Sequence, residues 1–115
     1  MKRVWVTHDI GRHNLAMALD FGCLEAVVIG TMRSTLTPDA LAATVRRRLQ
    51  LAEADDHLLL IGNPMVIGMC CAYMLQRFGS MNVLIWDNQC KRYLSQTVRN
   101  ADVKAIEEKA HASAR

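Results

Sequence analysis

"LLLIGNPMVIGMCCAYM", Leu58 to Met74, decides the fold. Four large aliphatic residues follow one another without polar alternation, the pattern of a strand buried on both faces. Gly62-Asn63-Pro64 then breaks the strand, and an apolar helix begins at once. Asn suits the position that caps a helix and Pro suits its first turn. A strand passing directly into a helix is half of a βαβ unit, so the neighbouring segments decide whether a parallel sheet is being built. They also decide whether the break cradles a ligand or is only a tight connection.

Upstream, "RVWVTHD" (Arg3 to Asp9) carries β-forming residues up to His8-Asp9, where a strand should end. "RHNLAMALDFG" places Leu15, Ala18 and Leu19 on one helical face, and Gly22 is positioned to stop that short helix in a left-handed conformation. "LEAVVIG" (Leu24 to Gly30) is a second β-branched run closed by glycine, and Thr31 to Leu36 has the polar, aperiodic character of a loop. "TPDALAATVRRRLQLAEADD" is the clearest helix. Thr37 caps it, Pro38 opens it, Leu41, Val45, Leu49 and Ala52 face the core, and Arg46, Arg47 and Arg48 fan toward solvent.

Downstream, the helix of "MVIGMCCAYMLQRFG" should end at Gly79, and "NVLIWD" (Asn82 to Asp87) is a fourth strand. "CKRYLSQTV" follows too closely for a crossover helix and is expected to return as an antiparallel edge strand. Asn100 to Arg115 forms a weak helix with Val103, Ile106 and Ala110 on one side and a fraying end.

The order βαβαβαββα implies an α/β fold: a small three-layer, mostly parallel sheet with helices on both faces. Right-handed crossovers favour strand order 2-1-3-4 with an antiparallel strand five at the edge, a flavodoxin-like or Rossmann-like topology. With 115 residues there is room for one domain, residues 1–98, followed by a helical tail over 99–115.

In such a sheet, ligands favour the carboxyl ends where the winding reverses, between strands one and three. Those ends carry Thr7, His8 and Asp9 on one side and Gly62 and Asn63 on the other, with Gly30, Thr31 and Asp87 further out. His13 would lie about one turn from Asp9 on a helix starting there, and an acid orienting an imidazole suits an acid–base pair. The candidate ligand-binding set is therefore Thr7, His8, Asp9, His13, Gly62, Asn63 and Asp87. Against it stands a plainer account in which Asn63 and Asp9 are helix caps and the histidines are ordinary polar residues near a strand end. Neither a GxGxxG, a Walker lysine pattern nor a GxSxG elbow occurs, so no nucleotide or hydrolase fingerprint is present.

Other classes are constrained by composition. Net charge is +3 and aromatic residues make up 5%, too few for a base-stacking platform, so nucleic-acid contact would rest on Arg46, Arg47 and Arg48, with Arg33, Lys91 and Arg92 if they share a face. The cysteines Cys23, Cys70, Cys71 and Cys90 include no CxxC pair and are expected to be small buried hydrophobes in a reducing compartment, without disulfide or metal. No cofactor is implied. Met69 and Met74 are placed to serve an adaptable interface. The longest apolar stretch, Met65 to Met74, is about half of what a membrane span needs, and Met1-Lys2-Arg3 runs into a strand and not a signal core, so the cytoplasm is the expected location.

"THDIGRHNLAMALDFG", "DDHLLLIGNP" and "NVLIWDNQCKRY" together resemble a group of short proteins encoded by tailed bacteriophages. In that group a His-Asp pair follows the first strand, an Asp-Asp pair precedes a strand ending in Gly, and a late strand leads to a Tyr-containing edge. The resemblance spans about residues 3 to 95. It implies a setting, the cytoplasm of an infected bacterium, and an accessory role. The expected function is a noncatalytic module that binds a small polar or anionic, nucleotide-like ligand or a host protein at the carboxyl edge, working as a homodimer. Two alternatives are a nucleic-acid binder using the arginine helix and a small enzyme using Asp9 and His13.

Overall fold

The computed structural model describes residues 1–9, 11, 14–30 and 37–113. Its five strands are β1 (Arg3–Asp9), β2 (Cys23–Ile29), β3 (His57–Leu59), β4 (Ser80–Asp87) and β5 (Arg92–Arg99). The helices are α1 (Pro38–Leu49), α2 (Pro64–Phe78) and α3 (Asn100–Ser113), with a 3-10 segment over Ala16–Phe21. One sheet has the order β2-β1-β3-β4-β5, parallel throughout except for the antiparallel β4–β5 pair. This is the arrangement expected from the order of elements.

Alternation along β1 separates two cores. Trp5 packs with Val27, Leu58 and the helix residues Leu41, Val45, Leu49, Val66, Cys70 and Met74, which puts α1 and α2 on one face. Val4 and Val6 point the other way and meet Leu59, Leu84 and Ala18 of the 3-10 segment. The three layers are therefore unequal. Among the described residues, one face has two full helices and the other has six residues of 3-10 helix.

A buried carboxylate ties the amino ends of the central strands. Asp56, just before β3, is 1% exposed. Its Oδ1 accepts the Arg3 amide at 3.0 Å, and its Oδ2 accepts the Trp5 indole N–H at 3.0 Å and the Glu53 amide at 2.9 Å. Three donors from β1 and the α1–β3 loop converge on one side chain, which is how a buried charge is made tolerable. Arg3 and Arg48 lie over the Trp5 ring at 5.6 and 5.8 Å.

Several local expectations are corrected. The first helix is a 3-10 segment, and Leu19, placed on its apolar face, is 57% exposed. Its start is Ala16, whose amide is held by Asn14 Oδ1, and not a residue near Asp9. The arginine helix ends at Leu49, well before Asp56, although Ala52 is buried as expected. Arg48 does not fan into solvent: it is seven residues from Leu41, hence on the inner side, and its guanidinium bonds the Ala26 carbonyl and Glu25. Cys23 and Cys90 are exposed, leaving only Cys70 and Cys71 in the packed interior, and Met74 is fully in the core instead of at a surface. The expected loop over Thr31 to Leu36 lies outside the described residues.

Helix α3 departs from the body. Its residues Ala101 to Lys109 are exposed, Val103 and Ile106 among them. The radius of gyration, 15.1 Å, exceeds the roughly 13 Å of a compact chain of this length.

Replacing Asp56 by Ala orphans three amide or indole donors and is expected to cost about 3–5 kcal/mol in denaturant unfolding. Asp55→Ala, at an exposed neighbour, is expected to cost under about 0.5 kcal/mol.

Candidate functional site

The carboxyl ends of β1 and β3 lie side by side, as the strand order requires. What occupies the crevice between them is the protein's own side chains. Thr7 is fully buried, and its hydroxyl accepts the Ile61 amide at 2.9 Å and donates to the Ile61 carbonyl at 2.6 Å. This side-chain pairing replaces backbone pairing beyond Leu59, which is why β3 is only His57–Leu59 although the apolar run continues to Ile61.

His8, 4% exposed, completes the join. Its Nδ1 accepts the Asn63 amide at 2.9 Å, so Nε2 carries the proton and donates to the Gly30 carbonyl at 2.5 Å. One imidazole thus ties the ends of β1, β2 and the β3–α2 turn. Gly62 has φ of +94°, and a Cβ there would stand 2.3 Å from the His8 Cβ and 2.6 Å from its carbonyl oxygen. The close approach that only glycine permits is therefore an approach to His8.

The remaining residues of the expected set are locally engaged. Asn63 Oδ1 accepts the Met65 amide at 2.8 Å and caps α2. Asp9 Oδ1 accepts the Gly11 amide at 2.8 Å. Asp87 turns the β4–β5 hairpin, and its carboxyl is held below the usual range by hydrogen bonds from the Cys90 thiol and the Gln89 amide. His13 lies outside the described residues. Thr7, His8, Gly62 and Asn63 come together, whereas Asp87 belongs to the hairpin. Among the described residues no cluster of three or more His, Cys, Asp or Glu side chains could hold a metal. The thiol of Cys70 is pushed up to about 12 by burial, with the adjacent Cys71 adding to it, which leaves it unreactive at neutral pH.

The surface left open is the thinly covered sheet face, which sequence reasoning did not single out. There Leu59, Ile61, Leu84, Trp86 and Tyr93 line a hollow of about 360 Å³. Tyr93 also borders a second hollow of about 430 Å³ with Met17, Asp20, Phe21, Arg92 and Ser95. The two hollows share Tyr93 and lie along the β4–β5 hairpin, the second bordered by the 3-10 segment, and together they are called the trench. Trp86 and Tyr93 meet edge to face at 5.0 Å in it. The available signal was alternation: Leu84 and Trp86 share a face of β4 with their cross-strand partners Ser95 and Tyr93 on β5.

His57 stands behind the second hollow, against Phe21, with its Nε2 2.9 Å from Ser95 Oγ. A hydroxyl beside an imidazole forms two parts of a nucleophilic relay, but the buried Nδ1 has no partner among the described residues to orient it. Burial and the nearby Lys2 lower the affinity of His57 for a proton, partly offset by Asp56 and Asp55.

Compared with known families, residues 2–100 match the family described as Phage Pam3 gp32-like protein, and the chain belongs to that family. The match ends where α3 begins. Among curated proteins and solved structures, nothing matches the chain. No helix among the described residues is long and apolar enough to cross a membrane.

Two outcomes are expected. Gly62→Ala forces His8 away from Asn63 and is expected to destabilise the fold by about 3 kcal/mol or more, read from the denaturation midpoint. Because folding lowers the proton affinity of His57, the unfolded chain binds more protons, so this group's contribution to stability is complete above its ordinary pKa of about 6.5 and is lost as pH falls below it. His57→Gln is expected to remove that part of the slope in stability between pH 7 and pH 5.

Proposed function

We propose that the chain is a noncatalytic phage accessory module, working in the cytoplasm of the infected cell, that binds a host protein through the trench on its open sheet face. The observation that carries the reading is the unequal covering of the sheet. A face with two exposed or half-exposed aromatics, Trp86 and Tyr93, is left beside an arginine, Arg92, while the opposite face is packed by α1 and α2. Aromatic residues and arginine in a concave apolar setting are the groups that contribute most where proteins dock. The chemistry favours a partner segment with an apolar anchor for the Leu84–Trp86–Tyr93 hollow and polar groups for the rim, where Arg92 stands with Asp20 and opposite Asp87.

The strand tips are the weaker place for a ligand, because the Thr7 hydroxyl and both ring nitrogens of His8 are hydrogen-bonded inside the protein and Asn63 Oδ1 caps α2. The arginine helix is weakened as a nucleic-acid surface in the same way, since Arg48 is committed to β2 and leaves Arg46 and Arg47 exposed.

The test is affinity capture from a host lysate with the wild-type chain, with Trp86→Lys, and with Arg46→Glu/Arg47→Glu, all three first shown to melt at similar temperatures. A partner is expected to be retained by the wild type and by the double glutamate variant, and to be lost with Trp86→Lys. Retention insensitive to Trp86→Lys would count against the trench, and a partner lost only with the glutamate variant would point to the arginine helix.

A further inference from the structure

We infer that the chain pairs with a second copy of itself through the free edge of β5, joining two sheets into one of ten strands with the two trenches side by side. This does not rest on the host-protein reading and goes beyond it.

The two edges of the sheet are treated differently. At β2, the Arg48 guanidinium donates twice to the Ala26 carbonyl and pairs with Glu25. Among the described residues, β5 has no such device. The strand is eight residues long, pairs with β4 in unbroken register, and has no proline or bulge. Its charges sit only at the ends, Arg92 and Arg99, and Ser95, Gln96 and Thr97 in the middle are exposed. Long regular edges without inner charges, proline or bulges are templates for strand addition.

The sequence of β5 is suited to itself. A two-fold axis perpendicular to the sheet keeps faces matched, so residues of the same parity must stand opposite each other. An axis through Ser95 opposes Lys91 and Arg99, a repulsive pair at both ends. An axis through Gln96 opposes no like charges. It sets Gln96 against itself, Leu94 against Val98, Ser95 against Thr97, and Tyr93 against Arg99. It also brings Arg92 of one copy opposite Asn100 of the other, beside the carboxylate of Asp102 at the start of α3.

Helix α3 gives the same face an independent reason to be covered. It begins at the end of β5, is 14 residues long, and presents Val103 and Ile106 to solvent. A helix of that length is marginal in water without packing. In the Gln96-centred pair each α3 leaves the sheet beside the partner's hairpin tip, which carries Lys91 and Arg92, while α3 carries Asp102, Glu107 and Glu108 against Lys104 and Lys109, a small acidic excess. A strand pair alone falls short of the ~1,200 Å² that stable interfaces bury, and α3 laid on the partner's hairpin adds to it.

The experiment is sedimentation equilibrium of the full chain. The wild type is expected at twice 12.9 kDa, and Gln96→Lys, which puts two cations face to face on the axis, is expected to weaken association on the order of tenfold or more. In a Cys23→Ser/Cys90→Ser background, Gln96→Cys is expected to cross-link as a dimer under mild oxidation and Leu94→Cys is not. A wild-type monomer at all concentrations would overturn the proposal, as would a dimer unaffected by Gln96→Lys or one cross-linked through Leu94→Cys and not Gln96→Cys.

Discussion

Everything in this molecule depends on β1 and β3 being held together at both ends by side chains. At the amino ends the Asp56 carboxylate collects the Arg3 amide, the Trp5 indole and the Glu53 amide. At the carboxyl ends Thr7 pairs with the Ile61 backbone and His8 bridges Gly30 and Asn63. Strand β3 has only three residues and could not secure this position by backbone pairing alone. Buried polar groups satisfied this fully impose one register, because any slip would leave several of them without partners.

The fold was legible because its signals are local and consistent. Short apolar runs, cap residues and a strand pair too close for a crossover determine the order of elements, and chirality then determines the sheet. The convergence of the strand tips was legible, and their pairing with one another was not. Thr7, His8, Gly62 and Asn63 do converge, but whether a polar group at a strand tip faces a ligand or a neighbour depends on residues about fifty positions away, and no local pattern carries that. Gly62 illustrates the difficulty, since a glycine required by His8 reads the same in sequence as one required by a phosphate. Arg48 was misplaced for a different reason: in Arg46-Arg47-Arg48 the composition suggests a solvated face, and the helical period alone distinguishes the third arginine. The 3-10 segment was read as an α-helix because six residues cannot separate the two periods.

What the sequence leaves uncovered is as informative as what it packs. One face has α1 and α2, one edge has Arg48, and the strand tips have Thr7 and His8. The trench under the 3-10 segment and the edge of β5 have no equivalent, and they adjoin each other at Tyr93 and Ser95. Interaction surfaces are thereby concentrated on the β4–β5 hairpin, whose outer strand β5 is the edge of the sheet furthest from the β1–β3 join.

The most direct measurement of that join is the tautomer of His8, read from long-range proton–nitrogen correlations of its imidazole. The proton is expected on Nε2, with Nδ1 coupled across a hydrogen bond to a slowly exchanging Asn63 amide. A proton found on Nδ1, together with an Asn63 amide that exchanges freely, would mean that the strand tips are not joined as described and that the crevice is open.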